Sequence, residues 1–361
     1  MTKRTLEDLL VPYRLSIDEI DTQILELINK RAGLAQQIGL LKGTTVAYRP
    51  EREALILDKL RLKNPGPLSD SSVTRLFREI MSECLALERV LQVACLGPEG
   101  SFTQQATIQQ FGQAAKVISC SSVAESMTLT EKRETDYTMV PVENSTEGAV
   151  NRTLDLLVST PLLIQNELTL QIHHQLLSCC NKISQIKKIL AHPQALAQCR
   201  GWIERNLNPD VLVIPTNSNA EGAKRAKEDP SAAALASSIA AKIYQLNILA
   251  IDVEDEVANT TRFLVLGHQK VPATGKDKTS LIVSAPNQPG TIHRLLEPFS
   301  RYQISLTKLE SRPSKSGLWD YIFFIDFLGH IQDETVSNAM KVLKERALFV
   351  KWLGSYPRAP L

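Results

Sequence analysis

With 361 residues, 43% apolar and 22% charged side chains, the chain is too long for one ordinary core and reads as two or three globular domains. A formal net charge of only +2 argues against a polyanion-binding surface, so neither nucleic acid nor a membrane is an expected partner. The start, MTKRTLEDLL, is charged where a signal peptide needs an apolar run, and no stretch approaches the ~20 apolar residues of a membrane span, so a cytoplasmic protein is expected.

The first segment has a helical period. From about Leu10 to Leu41 the apolar positions Leu10, Tyr13, Ile17, Ile20, Ile24, Leu27, Leu34, Ile38 and Leu41 alternate steps of three and four, which predicts one long helix with a heptad seam. A turn at Gly43 to Pro50 follows, then a helix from about Glu51. After NPGPLSD comes a third helix, capped by Asp70 or Ser71, with Val73, Phe77, Ile80, Cys84 and Leu87 on one face. Near Leu91 the texture changes to short β-rich runs (VACLG, YTMVPVE, VLVIP, FLVLG) separated by helices, an α/β pattern reaching about Gln269. The polar stretch KVPATGKDK reads as a linker. Beyond it lie SLIVSA, a helix from about Gly290, the strands ISLTKLESRP and WDYIFFIDFL, a helix from about Asp333 and a strand near Phe349. That order, βαββαβ, is the α+β ferredoxin-like unit.

The six cysteines (Cys84, Cys95, Cys120, Cys179, Cys180, Cys199) have no C-x-x-C spacing and suit reduced thiols. His173 and His174 are expected on opposite faces of a strand, and no H-E-x-x-H occurs, so neither metal nor cofactor is expected.

Position 31 of the heptad seam calls for a core residue, yet Arg31 stands there, and a guanidinium in an apolar seam is costly without an anion. Lys42, 11 residues on, returns to within about 20° of the same line ~16 Å along the axis, so the two cations can converge on a ligand. Pairing of Arg31 with an internal carboxylate such as Glu53 is the alternative. Arg14 lies 17 residues before Arg31, or ~25 Å along the helix, so any site that it serves is a partner chain's. Arg52 and Glu53 open the second helix, and Glu88 stands one turn beyond Cys84 on the third.

The segment from Arg14 to Glu88 resembles the all-helical chorismate mutases, in R-x16-R-x10-K on the first helix, Y-R-P-E-R-E before the second, and Cys84 with Glu88 on the third. In that family the long first helices of two subunits interlock. The resemblance implies that Arg14 of the partner chain, Arg31, Lys42 and Arg52 bind the two carboxylates and the ether oxygen of chorismate, while Glu53 holds a ring hydroxyl. A pericyclic rearrangement needs no nucleophile, only a fixed chair-like conformer and positive charge at the breaking ether bond. Cys84 stands where serine is common, and Glu88 where glutamine or glutamate occurs. To donate to the ether oxygen Glu88 must be protonated, a state that burial favours.

Three motifs of the central segment stand at ends of predicted strands: LGPEGSFT, whose Gly97 and Gly100 allow close approach of backbone to an anion; VPVENSTEGAV; and NTTRF, just before FLVLG. Each alone is an ordinary cap or turn cluster. In order and spacing, with AHPQALAQC and AAALASSIAAKIYQL, they resemble the prephenate dehydratases, which have two α/β lobes like those of periplasmic binding proteins and take prephenate in the cleft. The resemblance makes Thr261 the acid that assists loss of the ring hydroxyl as carbon dioxide departs. Arg262 binds a substrate carboxylate or braces the loop, and Phe263 closes the ring pocket. Asn144, Ser145 and Thr146 hold substrate oxygens, with Ser101, Ser122 and Gln198 as further candidates. Ala191 replaces a common serine.

In the last segment NQPGTI and LESRP resemble the effector loops of the ACT domain, where phenylalanine binds between paired domains and inhibits. The candidates are Asn287, Gln288, Pro289, Gly290 and Thr291, with Glu310, Ser311, Arg312 and Pro313. The expected organisation is therefore an all-α intertwined mutase domain over 1–91, a two-lobed α/β dehydratase domain over 92–270 and an ACT domain over 278–361. A homodimer or higher homo-oligomer would act on chorismate and prephenate, with L-phenylalanine as effector. The alternatives are an active dehydratase whose helical domain serves only dimerisation, and a phenylalanine sensor built from dead domains. The sensor predicts eroded catalytic positions, which are intact here. No strand is followed by G-x-G-x-x-G, which disfavours a nicotinamide enzyme.

Overall fold

The computed structural model describes residues 5–42, 48–256, 258–285, 288–313 and 321–359. They form two compact units. One holds the described residues up to Tyr48 with Leu60–Leu91 and Phe111–Lys116; the other holds Arg49–Lys59, Gln92–Gln110 and the described residues from Val117 onward. Asn287 and the side chain of Lys42 lie outside the described residues.

The N-terminal part is helical, with α1 over Leu6–Lys42, α2 over Pro50–Lys63 and α3 over Asp70–Ala86. The cap of α3 is Ser69, one residue before the expected position: its hydroxyl accepts from the Ser72 amide, and Asp70 falls in the first turn. Among the described residues the seam of α1 is left largely uncovered. Ile17, Ile20, Ile24, Leu27, Leu34 and Ile38 are between 42% and 66% exposed.

Two mixed sheets follow, and each is one lobe. The first runs Lys116–Cys120, Gln92–Leu96, Tyr137–Asn144, Thr260–Gly267, Leu163–Gln171 in space, with Gly148–Ala149 paired at its side. The second runs Asn247–Ala250, Gln175–Ser178, Ala232–Ala236, Lys188–Ala191, Leu212–Pro215. Its strands are apolar on both sides: Ile189, Ala233 and Leu235 enter one core, while Leu190, Ala232, Ala234 and Ala236 enter another, as the two-residue strand period requires. The chain crosses between the lobes at residues 172–174 and again through residues 251–256 and 258–259. His173 and His174 thus stand in a crossover, not on opposite faces of a strand. There the His173 ring meets Glu254 at 2.7 Å and the His174 ring meets Gln198 at 3.0 Å.

The last sheet is antiparallel, in the order Leu306–Pro313, Tyr321–Leu328, Asp277–Ala285, Phe349–Pro357, with helices Thr291–Arg301 and Glu334–Arg346. Leu281, Val283, Phe323, Ile325 and Phe327 face these helices. Ile282, Phe324, Leu353 and Tyr356 face the other way, into one core with Val140, Leu154 and Leu264 of the first lobe. The expected linker is an anchored strap. Val271 is buried and its carbonyl accepts from His330 Nε2 at 2.9 Å, and Asp277 accepts from the Thr274 amide and hydroxyl. Among the described residues no helix is long and apolar enough to cross a membrane.

Candidate active site

A cavity of about 160 Å³ opens where the two lobes meet. Phe102, Ile172 and Phe263 give it apolar walls, and Asn144, His174, Gln198, Asn259 and Thr261 give it polar ones. The strand Thr260–Gly267 includes all of TTRF, so that motif lies in the sheet and not ahead of it. The antiparallel ladder pairs Thr261 with Asn144, and Arg262 with Glu143. Because successive strand residues point to opposite faces, Thr261 and Phe263 enter the cleft and Arg262 points away.

The polar wall is a single hydrogen-bonded chain. Asn144 Oδ1 accepts from the amides of Thr146 (3.0 Å) and Glu147 (3.1 Å), which fixes its Nδ2 toward Thr261 and Asn259. That Nδ2 donates to Thr261 Oγ1 at 2.8 Å and to Asn259 Oδ1 at 2.9 Å. Asn259 Nδ2 then donates to Gln198 Oε1 at 3.1 Å, and His174 Nε2 lies 3.0 Å from the same oxygen. Since that oxygen can only accept, His174 carries its proton on Nε2. Thr261 receives a hydrogen bond from Asn144 and retains its own hydroxyl proton to offer to the cleft. Two buried polar atoms of the cleft, His174 Nδ1 and Gln198 Nε2, have no hydrogen-bond partner among the described residues. Burial pulls the His174 pKa down, opposed by the Gln198 hydrogen bond and the Glu254 charge, so its ring is neutral near pH 7. Phe102 packs edge-on against it at 5.4 Å.

Other predicted residues are engaged within the chain. Ser145 Oγ donates to the Ala258 carbonyl and accepts from the Thr260 amide, tying the ENST loop to TTRF. Ser101 donates to the Leu96 carbonyl and accepts from the Gln104 amide, and Ser122 caps the helix Val123–Glu131. Thr146 is exposed. Gly97 and Gly100 make room for the chain itself: a Cβ at Gly97 would meet the Cys120 carbonyl at 3.0 Å, and one at Gly100 the Ala240 side chain at 3.1 Å. Arg262 braces instead of facing the cleft, through Glu167 (2.9 Å), Asp326 (2.6 Å) and Tyr356 (3.0 Å). These partners raise its pKa although burial opposes the charge. Asn259, His174 and Phe102 were not anticipated, although Asn259 opens the NTTRF motif and His174 belongs to the noted histidine pair. Nor was the group His173, Asp252 and Glu254, whose ligand-type atoms lie within 4.8 Å of one another; a 2.7 Å bond from His173 Nδ1 to Glu254 accounts for it as a hydrogen-bonded pair.

Comparison with known proteins matches three family models in order along the chain: chorismate mutase type II over residues 13–89, prephenate dehydratase over 93–271 and the ACT domain over 279–345. The chain is 52% identical over 361 residues to the bifunctional chorismate mutase/prephenate dehydratase of Neisseria gonorrhoeae, covering 99% of both. To that of Pseudomonas aeruginosa it is 46% identical, covering 98% of this chain and 99% of the relative. The chain belongs to the bifunctional chorismate mutase/prephenate dehydratase family. The crystal structure of prephenate dehydratase from Arthrobacter aurescens in complex with L-Phe matches with a TM-score of 0.68 at 35% identity, over 74% of this chain and 90% of that one.

In the mutase segment Arg14 is paired with Glu7 on the exposed face of α1, and Arg31 is half-buried. Cys84 is buried on α3. Glu88 was expected on α3 but lies just past its cap, Leu87, with its amide donating to the Leu85 carbonyl at 2.9 Å. Its side chain crosses Gly39 of α1, where a Cβ would meet Glu88 Cγ at 2.8 Å. Arg52 is exposed on α2, and Glu53 accepts from Gln110 Nε2 at 3.3 Å. In the ACT segment Gly290 caps its helix with φ +78°, a conformation that suits glycine. Gln288 and Pro289 are exposed beside it, Thr291 is buried, and Arg294 donates to the Pro289 carbonyl and the Thr291 hydroxyl, both at 3.1 Å. Glu310 and Arg312 are half-buried on the second strand, where Ser311 and Pro313 are exposed, and Arg312 pairs with Asp155 at 2.9 Å.

Proposed function

We propose that this chain rearranges chorismate to prephenate in its helical segment and converts prephenate to phenylpyruvate in the interlobe cleft, with phenylalanine restraining the second step through the ACT domain. The observation that carries this reading is the presence of both enzyme families and the ACT domain in one chain, matched end to end by bifunctional relatives. It favours the two-activity reading over a dehydratase with a purely dimerising helical domain.

Prephenate carries a carboxylate and a hydroxyl at opposite ends of a cyclohexadiene ring. When the ring carbon–carboxylate bond breaks, its electron pair moves through the ring and expels the hydroxyl, so the ring becomes aromatic. Carbon dioxide and water leave, and one proton is taken up. Thr261 places a hydroxyl proton where the leaving oxygen needs one, because Asn144 occupies its acceptor side. A threonine is a weak acid, and a dry cleft with a neutral His174 lets hydrogen bonding suffice. Phe263 packs the ring, Gln198 Nε2 offers a donor to substrate oxygens, Asn144 aims the Thr261 hydroxyl, and Ser145 and Thr146 hold the loop that carries Asn144. Ser101 and Ser122 act through the caps that they form.

In the mutase segment Arg31, Lys42, Arg52 and the partner chain's Arg14 hold the carboxylates and ether oxygen of chorismate, Glu53 a ring hydroxyl, and Glu88, beside Cys84, the ether oxygen. The exposed α1 seam supports a homodimer or larger assembly, working in the cytoplasm. Phenylalanine binds at the loop Asn287–Thr291 and the strand end Glu310–Pro313. Prephenate supplied to the purified protein tests the dehydratase half: phenylpyruvate is expected from the native chain and almost none from Thr261→Val, and equal turnover by the two removes Thr261 from the mechanism.

A further inference from the structure

The cross-strand pair behind the cleft, Arg262 and Glu143, is held by the C-terminal sheet. Arg262 Nη1 lies 2.6 Å from Asp326 Oδ2, and its Nη2 donates to Tyr356 at 3.0 Å. Glu143 accepts from Lys308 Nζ at 2.9 Å. Glu167, across the sheet, joins Arg262 at 2.8 Å to Lys278 at 2.7 Å. Three cations meet three anions, and most are nearly dry, with side chains of Glu167, Asp326 and Lys308 3%, 8% and 9% exposed. Removing one member leaves an uncompensated buried charge, so the network has one favoured arrangement.

We infer that Asp326 and Lys308, which never touch the cleft, are positioning residues for the dehydratase reaction: they lock Arg262 and Glu143, and through the ladder set the Thr261 to Asn144 geometry. The inference rests on the dehydratase reading above. Thr261 and Arg262 are consecutive, as are Asn144 and Glu143, and each residue pairs across to its counterpart, the ladder's bulge falling beyond them, between Arg262 and Phe263. A shift of Arg262 toward solvent therefore rotates Thr261 away from Asn144. Lys308 also lies on the strand Leu306–Pro313 that carries Glu310 to Pro313, so a ligand at that strand end has a two-residue path to Glu143.

Asp326→Asn, Asp326→Glu and Lys308→Met are made in the full chain and assayed on prephenate and, in the same preparations, on chorismate. Asp326→Asn and Lys308→Met are each expected to lower dehydratase kcat by about tenfold or more, with KM nearly unchanged, because a small misplacement of reacting groups acts on the chemical step. Mutase turnover stays at the native rate, and Asp326→Glu recovers part of the loss. A folded Asp326→Asn with native kcat, or one whose only change is a lower melting temperature, overturns the inference. If Asp326→Asn does not fold, Lys308→Met decides by the same criterion, its partner Glu143 being 41% exposed and its loss correspondingly milder. A native chain inert toward prephenate would refute the dehydratase reading itself, and this inference with it.

Discussion

Asn144 donates its amide proton to Thr261 Oγ1 at 2.8 Å, and the two residues are direct partners across the ladder. The direction of that bond is set by the amides of Thr146 and Glu147, which occupy Asn144 Oδ1. Asn144→Asp reverses it, since a carboxylate only accepts and would draw the Thr261 proton to itself. Dehydratase kcat should fall by roughly 10²-fold or more, the usual worth of a positioned acid, while Thr261→Ser retains most activity. Steady-state assays on prephenate check both, with mutase turnover unchanged as the internal control.

His174 makes the stability of the fold depend on pH. Its folded-state pKa lies below the ordinary value of 6.5, chiefly through burial. The unfolded chain therefore takes up this proton first on acidification. The stability that the neutral ring contributes is complete above pH 6.5 and is lost as pH falls through the lower folded value. Chemical denaturation from pH 7.5 to 5 should show this decline, and His174→Gln should flatten it. A native slope retained in His174→Gln would assign the decline to other groups.

Glu88 lies over Gly39, and a methyl group there would meet its Cγ at 2.8 Å and its Cβ at 3.1 Å and push its side chain aside. Gly39→Ala should cut mutase kcat by about tenfold or more, as small misplacements do, and leave prephenate turnover intact. Glu88→Gln, whose amide donates at any pH, should flatten a mutase profile that otherwise rises toward mild acid. Turnover of chorismate by Gly39→Ala at the native rate would remove Glu88 from the site.

The proposed dimer covers the exposed seam of α1. Ile20→Glu combined with Ile24→Glu places charge in the middle of it and should halve the assembly mass in sedimentation. In the proposed site Arg14 comes from a second chain, so mutase activity should fall with the mass. Full mutase activity in a monomer would contradict the intertwined arrangement.

Much of this was legible in the sequence. The heptad steps of α1 and the period-two strands are local, and each set its own element. The boundaries that moved did so for reasons of partner choice: Ser69 accepts from the Ser72 amide, while the Asp70 carboxylate is engaged by Asn64 Nδ2 at 2.7 Å. KVPATGKDK is an anchored strap because His330 and Asp277 hold its polar groups. Asn144 and Thr261, which have motifs of their own, line the cleft. His174 and Asn259 were not singled out, because each is joined to the site only by one long-range hydrogen bond or two. For Arg262 both roles, substrate binding and bracing, remained open from the sequence. Strand parity decides between them, and parity could be counted only once the strand was known to begin at Thr260.

The central claim is that one chain performs both reactions in series. Purified protein is given chorismate alone, without added cofactor or metal, and chorismate loss is followed together with phenylpyruvate. The account predicts that phenylpyruvate forms, and that millimolar phenylalanine suppresses it while chorismate is still consumed. Prephenate that accumulates without phenylpyruvate in the absence of phenylalanine, or chorismate that survives while added prephenate is converted, would contradict it.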